Sequence, residues 1–343
     1  MRKLLNTLYV TTPESHLARE GENILIKVKD EIRFRVPIHN LEGIVCFGYI
    51  GASPSAMHLC SERGVELSFL TEHGKFLARV SGEVSGNVLL RRKQYRWADE
   101  EREKLRLAKR FVEAKIHNSR RVLQRAIRDH SDVIQDDGIG NTIDRMKDMI
   151  GRVENASSVD TVRGIEGEAA NAYFSKFDSL IMNQKEHFTF GERIKRPPTD
   201  YVNALLSFIY TLLSHECISA LETVGLDPQV GYLHTDRPGR KSLALDMMEE
   251  LRSYLADRMV LSLINRKQVS ESGFVKRENG AVLMNDETRK EVLVSWQNRK
   301  REEIVHPFLG ERIQVGLIPY VQSMLLARNI RGDLDDYPPF FWK

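Results

Sequence analysis

At 343 residues, with 41% hydrophobic and 29% charged side chains, the chain is long enough for two domains with ordinary cores and has the balance of a globular protein. A net charge of +3 identifies no partner, and no apolar run reaches the roughly 20 residues that span a bilayer, so no membrane segment is expected. Cys46, Cys60 and Cys217 lack CxxC spacing, which points to reduced, buried thiols of a cytoplasmic protein. The opening MRKLLNTLYV is basic and then apolar, but no small-residue cleavage site follows it, so no signal peptide is expected.

The first ninety residues read as strands. Asn23–Lys29 and Glu31–Val36 alternate apolar and polar residues about a Lys-Asp-Glu turn, and Leu41–Phe47, Val65–Leu70 and Phe76–Val80 are further strand segments. One helix interrupts them: Ser53 caps it, Pro54 opens it and Gly64 ends it. His39, His58 and His73 are scattered and form no constellation. This is a mainly β domain, residues 1–90, with no evident chemistry.

From Arg91 to Arg128 there are fourteen Lys or Arg against five Asp or Glu. Leu105, Ala108, Val112, Ser119, Val122 and Ala126 fall at helical spacing, so the segment reads as one long helix with a single buried stripe. Its other faces are basic. They are either solvated, with Lys and Arg stems lying on the core, or a track for a phosphate backbone through residues such as Arg120, Arg121 and Arg125. Asp136–Asn141 is a turn-rich break. Asp160 then caps a helix in which Glu166 stands between Gly164 and Gly167. Two helical glycines cost roughly 1 kcal/mol each, tolerable where something must approach the backbone closely. Ala170 and Tyr173 share the face of Glu166, so that carboxylate needs a partner, for which Arg163 is a candidate. Glu168 faces away toward solvent.

Arg196-Pro197-Pro198 breaks the chain before a very apolar helix from Asp200 to Val224, with His215 and Cys217 as packing residues. GYLHTDRPGRKSLALDMMEEL follows at Gly231–Leu251. A short apolar run ends in His234, a loop carries Arg237, Arg240 and Lys241 around a Pro-Gly turn, and a helix begins with Ser242 as its cap. Asp246 and Glu249, three apart, and Asp246 and Glu250, four apart, share a helix face, while Leu243, Leu251, Leu255 and Met259 form the packed side. Crowded carboxylates call for a cation, either a divalent metal or the loop's own arginines. Imidazole with carboxylates suits Mn²⁺ and, less comfortably, Mg²⁺. The alternative is a solvated acidic face beside a loop histidine. Two smaller basic clusters follow, Arg266-Lys267 and Arg299–Arg301, and then DLDDYPPFFWK, acidic and then aromatic, which reads as a flexible tail over 331–343 or a docking peptide.

GIEG around Glu166, the NALLSFIYTLL helix and LHTDRPGRKSLALDMMEELR, in that order, resemble the CRISPR-associated integrase family, the nuclease subunit of spacer acquisition. The N-terminal half is most similar to the I-C subtype. The resemblance implies an α+β chain: a β-rich dimerisation domain (1–90) followed by an all-α catalytic and DNA-binding domain (91–330). It implies that Glu166, His234 and Glu249 hold Mg²⁺ or Mn²⁺, with Asp246 as a further acid of the site; many relatives carry aspartate where Glu249 stands. It implies cutting and joining of DNA, spacer precursor into CRISPR repeat, with Arg237, Arg240 and Lys241 clamping phosphates. It also implies a homodimer that bridges across a small ferredoxin-like partner. Two rival readings are a DNA-binding scaffold with a structural acidic cluster and a phosphohydrolase of small molecules; a long positive track argues against the second.

Overall fold

The computed structural model describes residues 7–41, 43–72, 76–80, 82, 88–130 and 138–343; His73 and the Asp136-Asp137 start of the predicted break lie outside them. Two compact units emerge. The first comprises Met1–Gly86, Val292–Glu302 and Gln314–Leu317, and the second Asn87–Glu291, Glu303–Ile313 and Ile318–Lys343. The expected boundary near residue 90 is close, but the single run 91–330 is not kept: the chain returns twice to the first unit. Gln297 and Lys300 there donate to the carbonyl and hydroxyl of Thr7 at 3.3 Å each. Lys300, of the second small basic cluster, is buried.

In the first unit the described strands are β1 (Thr7–Val10), β2 (Ser15–Glu20), β3 (Asn23–Val28), β4 (Glu31–Pro37), β5 (Gly43–Phe47), β6 (Gly51–Ala52), β7 (Glu66–Leu70) and β8 (Phe76–Val80). They form two four-stranded sheets, ordered β1-β5-β7-β8 and β4-β3-β2-β6. The β3–β4 hairpin turns on Lys29 and Asp30, whose φ of 50° and 66° give the left-handed pair that a two-residue hairpin needs. Helix α1 (Pro54–Arg63) starts as the sequence implies: Ser53 Oγ accepts from Ala56 N at 3.2 Å, and Gly64 closes the helix at φ 66°. Leu17, Ile24, Ile44, Cys46, Leu59, Cys60 and Leu67 make the core. The alternation in β4 does not bury its apolar residues, because β4 is an edge strand; Ile32 and Phe34 are 49% and 64% exposed.

The second unit is helical. The expected single helix after residue 91 is two, α2 (Val88–Asp99) and α3 (Glu101–Asp129), separated where Glu100 leaves helical geometry. Then come α4 (Ile139–Glu154), α5 (Val159–Phe174), α6 (Tyr201–Thr223), α7 (Ser242–Leu251) and α8 (Arg258–Asn265), the last two joined by a π-helical turn, Arg252–Asp257. A two-stranded ribbon of β9 (Phe274–Lys276) and β10 (Val282–Met284) precedes α9 (Asp286–Arg301), which ends in the first unit. Strands β11 (Glu303–Val305) and β12 (Arg312–Gln314) pair ahead of α10 (Ile318–Arg331). Helix α6 is long and apolar enough to cross a bilayer on composition, contrary to the expectation that no segment is; most of its apolar stretch is buried inside the protein, with Leu205, Leu206, Ile209 and Leu213 fully enclosed. The cap of helix α5 lies two residues before the expected Asp160: Ser158 Oγ accepts from Thr161 N at 3.1 Å.

The segment expected to be a flexible tail is instead packed into this unit. Tyr337, Phe340 and Trp342 are nearly or fully buried, because aromatic surface of this size costs too much in water when an apolar slot is at hand. Trp342 N donates to Asn118 Oδ1 at 2.8 Å, and its ring lies 4.4 Å from the Arg125 guanidinium and 4.3 Å from that of Arg258. Asp336 accepts from both Arg106 and Arg110, 2.5 Å each, so the tail neutralises part of the basic face of α3.

Candidate active site

Helix α7 decides the site. The expectation of a packed side and an acidic side fails here: Asp246, Glu249 and Glu250 are buried along with Leu243, Met247 and Leu251. Three carboxylates within five residues are thus cut off from water, and each must find partners inside the protein. Each finds a different set.

Asp246 is met by backbone. Its Oδ2 accepts from Tyr232 N (2.6 Å) and Leu233 N (3.0 Å), and its Oδ1 from His234 N (2.9 Å) and His234 Nδ1 (2.7 Å). Gly231 permits this approach, since a Cβ there would lie 2.8 Å from Ser242 and 2.9 Å from Asp246 Oδ2. Ser242 is therefore not the cap expected of it. It is the first helical residue, and its hydroxyl donates back to Thr235 O at 3.2 Å. With Nδ1–H donated to Asp246, the His234 ring presents its Nε2 lone pair, 3.8 Å from Glu249 Oε1. Asp246 orients the histidine and has its own acceptor sites filled.

Glu249 is met by cations. Arg252, at the first position of the π-helical turn, approaches Oε1 to 2.9 Å, and Lys115 Nζ lies 2.7 Å from Oε2. Burial alone would raise this carboxyl's pKa; Arg252, Lys115 and His234 together hold it well below the ordinary range. Burial acts on Lys115 in the same way, disfavouring its charge, and Glu249 and Glu166 overcome it, so the ammonium stays protonated. The Lys115 contact is an ion pair without a well-directed hydrogen bond, so Glu249 Oε2 is a buried acceptor left unsatisfied in that sense.

Glu166 enters from α5 and is tied to the same ammonium, Lys115. The arginine proposed as its partner is engaged elsewhere. Arg163 pairs with Asp160 and donates to Leu233 O at 2.7 Å, which fastens α5 to the loop carrying His234. Glu168 meets Arg145 and Arg152 at the surface. Gly164 and Gly167 have open space where a Cβ would stand, so nothing in the protein itself requires glycine there.

Of the residues singled out in the sequence, the structure gathers Glu166, His234, Asp246 and Glu249. It adds two that sequence reasoning missed, Lys115 and Arg252. The signal for Lys115 was available: it stands between Val112 and Ser119 on a buried helical row, where a lysine is rare unless paired. The phosphate-binding candidates are dispersed. Arg237 is exposed on the Thr235–Gly239 turn, and Arg240 and Lys241 are half-buried beside it. Arg120 donates to Ile143 O at 3.1 Å, Arg121 to Gln124 Oε1 at 3.2 Å, and Arg125 stacks on Trp342, so these three serve the packing of α3 as well as its charge.

Among the described residues, no three Asp, Glu, His or Cys side chains converge closely enough to hold an ion as they stand. The donor set nonetheless fits a hard divalent cation: two carboxylates with oxygens turned to one cation, one of them a buried acceptor without a directed bond, and an oriented imidazole nitrogen.

The chain is thus a strand-rich unit followed by a helical unit that draws acids and a histidine from α5, α7 and the loop before α7. The family model described as CRISPR associated protein Cas1 matches residues 8–298, and the chain belongs to that family. It is 52% identical over 343 residues to the CRISPR-associated endonuclease Cas1 1 of Chlorobaculum tepidum, each chain covered in full. Its fold is shared with a casposase solved bound to its integration product (TM-score 0.84, 23% identity, 98% of this chain and 94% of that one). It is also shared with a Cas1 protein of Thermotoga maritima (TM-score 0.81, 22% identity, 98% and 100%).

Proposed function

We propose that the chain is a metal-dependent DNA endonuclease and integrase that inserts spacer DNA into a CRISPR array. The observation that carries this is the placement of Glu166 and Glu249 on one shared cation beside a histidine whose Nδ1 is held by Asp246, so that its Nε2 faces the site. Glu166, His234 and Glu249 would hold Mg²⁺ or Mn²⁺, which would polarise the scissile phosphodiester and lower the pKa of the attacking group. Asp246 fixes the tautomer and angle of His234. Arg252 keeps Glu249 ionised. Arg237, Arg240 and Lys241 bind the flanking phosphates, and the open space at Gly164 and Gly167 lets a DNA backbone pass close to Glu166.

In the joining step the 3′-hydroxyl oxygen of the spacer strand forms a bond to a repeat phosphorus while the bond from that phosphorus to its leaving 3′ oxygen breaks, so phosphodiesters are conserved. Water in place of the hydroxyl yields a nick. The β-rich unit serves dimerisation, and the exposed Ile32 and Phe34 of edge strand β4 support that role. The small ferredoxin-like partner then spaces two such dimers. The casposase likeness supports the joining chemistry on DNA, and the 52%-identical endonuclease supports the cutting.

A second reading, a DNA-binding scaffold, draws on Lys115 and Arg252, which already neutralise the two glutamates. Glu249→Gln and Glu166→Gln separate the two. In Mn²⁺, joining and nicking of a repeat duplex should fall by orders of magnitude while duplex affinity, measured by fluorescence anisotropy, stays level. Wild-type rates in both variants would leave only the scaffold.

A further inference from the structure

The site carries a cation of its own. Lys115 rises from the buried row of α3, and its ammonium is shared by carboxylates from two other elements, Glu166 of α5 and Glu249 of α7. Arg252 already occupies Glu249 Oε1, so Oε2 is the oxygen left for a further cation, and it is the one facing Lys115. Lys115 and Arg252 balance Glu166 and Glu249 in charge. A divalent ion placed on the same two carboxylates would meet the ammonium at contact distance, and like charges in a site this buried repel strongly. One of the two must leave, and the lysine can: its four-carbon stem swings by rotamer change without moving the helix.

We propose that Lys115 is a built-in stand-in for the divalent ion. Its ammonium holds Glu166 and Glu249 together in the metal-free chain, yields that position when the ion binds, and so sets how tightly the ion is held. The inference rests on the proposed metal site and adds a competitor to it. It also accounts for the lack of three converging ligands among the described residues: the acids are spaced around an ammonium.

The test is Lys115→Met in the full chain, which removes the charge and keeps the stem. Titration calorimetry with Mn²⁺ in the absence of DNA should show Kd at least tenfold lower than in wild type. Melting should drop in EDTA, where two carboxylates lose their counter-ion, and return to near the wild-type temperature in saturating Mn²⁺. Lys115→Gln, prepared in Mn²⁺ and dialysed, gives the same comparison where the methionine variant does not survive EDTA, and folding that depends on Mn²⁺ counts in favour. Unchanged or weaker Mn²⁺ affinity in both variants, with wild type binding normally, overturns the role of Lys115 and leaves the metal site standing. No Mn²⁺ binding by wild type or variants overturns the metal site itself, and this inference with it.

Discussion

Glu249 and Glu250 are consecutive on α7 and equally hidden from solvent, yet their surroundings drive them in opposite directions. On one side of the helix, Arg252, Lys115 and His234 crowd Glu249 and keep it ionised. On the other, burial pushes the Glu250 carboxyl up to about 7, and its partners, though close, are all neutral. Tyr337 OH donates at 2.5 Å, Phe340 N at 2.7 Å and Gln322 Nε2 at 3.2 Å. Neutral donors favour the charged form of a buried acid too, but around Glu250 by less than burial disfavours it, whereas the cations around Glu249 outweigh burial. Geometry alone would make these two glutamates equivalent. The formal charge of the partners keeps one ionised and makes the other a clasp for the segment 337–340.

Exchanging each for glutamine is the strongest way to break the comparison. Glu249→Gln should cost orders of magnitude in strand joining, while Glu250→Gln, which imitates the protonated state that burial promotes there, should stay within a few-fold of wild type. Equal losses would mean that the two sides of α7 are not functionally distinct. The next largest effect is on stability: Phe340→Ala empties a fully buried position against Tyr254 and should cost about 3–5 kcal/mol in denaturant unfolding. A smaller effect is read in pH. Glu250 holds its proton more tightly folded than unfolded, so its contribution is full below about pH 4.5, declines as pH rises toward 7, and is level above that. The decline is on the order of 3 kcal/mol and should be absent from Glu250→Gln melted in EDTA. Asp257, pushed by burial to about 6, adds a decline of the same sign in both proteins. Glu249 works in reverse, losing its contribution only as pH falls below the ordinary carboxylate range. The smallest effect belongs to the basic face of α3: Arg121→Gln should reduce the slope of log K for duplex DNA against log salt by no more than about 0.9.

Much of this was readable in the residues. The Ser53-Pro54…Gly64 helix and the β3–β4 hairpin follow from capping and turn chemistry, which are local. The motif acids Glu166, Asp246 and Glu249 and the imidazole of His234 do lie together. What escaped was set by contacts far along the chain. Helix periodicity treats the α7 acids as a wet face, and only the arrival of 231–234, Lys115 and 337–340 makes all of them interior. The tail misled because its acidic start suggested solvent; Asp336 instead meets Arg106 and Arg110, and the aromatic residues that follow fill the core. Arg120 and Arg125 show a different limit, since a high local charge does not reveal that a guanidinium meets a carbonyl or an indole.

The clasp on Glu250 has a consequence in the order of synthesis. Its tyrosine and backbone donors lie 87 and 90 residues downstream of it, so α7 leaves the ribosome well before the groups that enclose its second glutamate exist. During that interval the nascent helix carries an acid whose Tyr337 and Phe340 donors are missing. A product stopped short of residue 337 would carry α7 without the tyrosine and backbone donors that enclose Glu250.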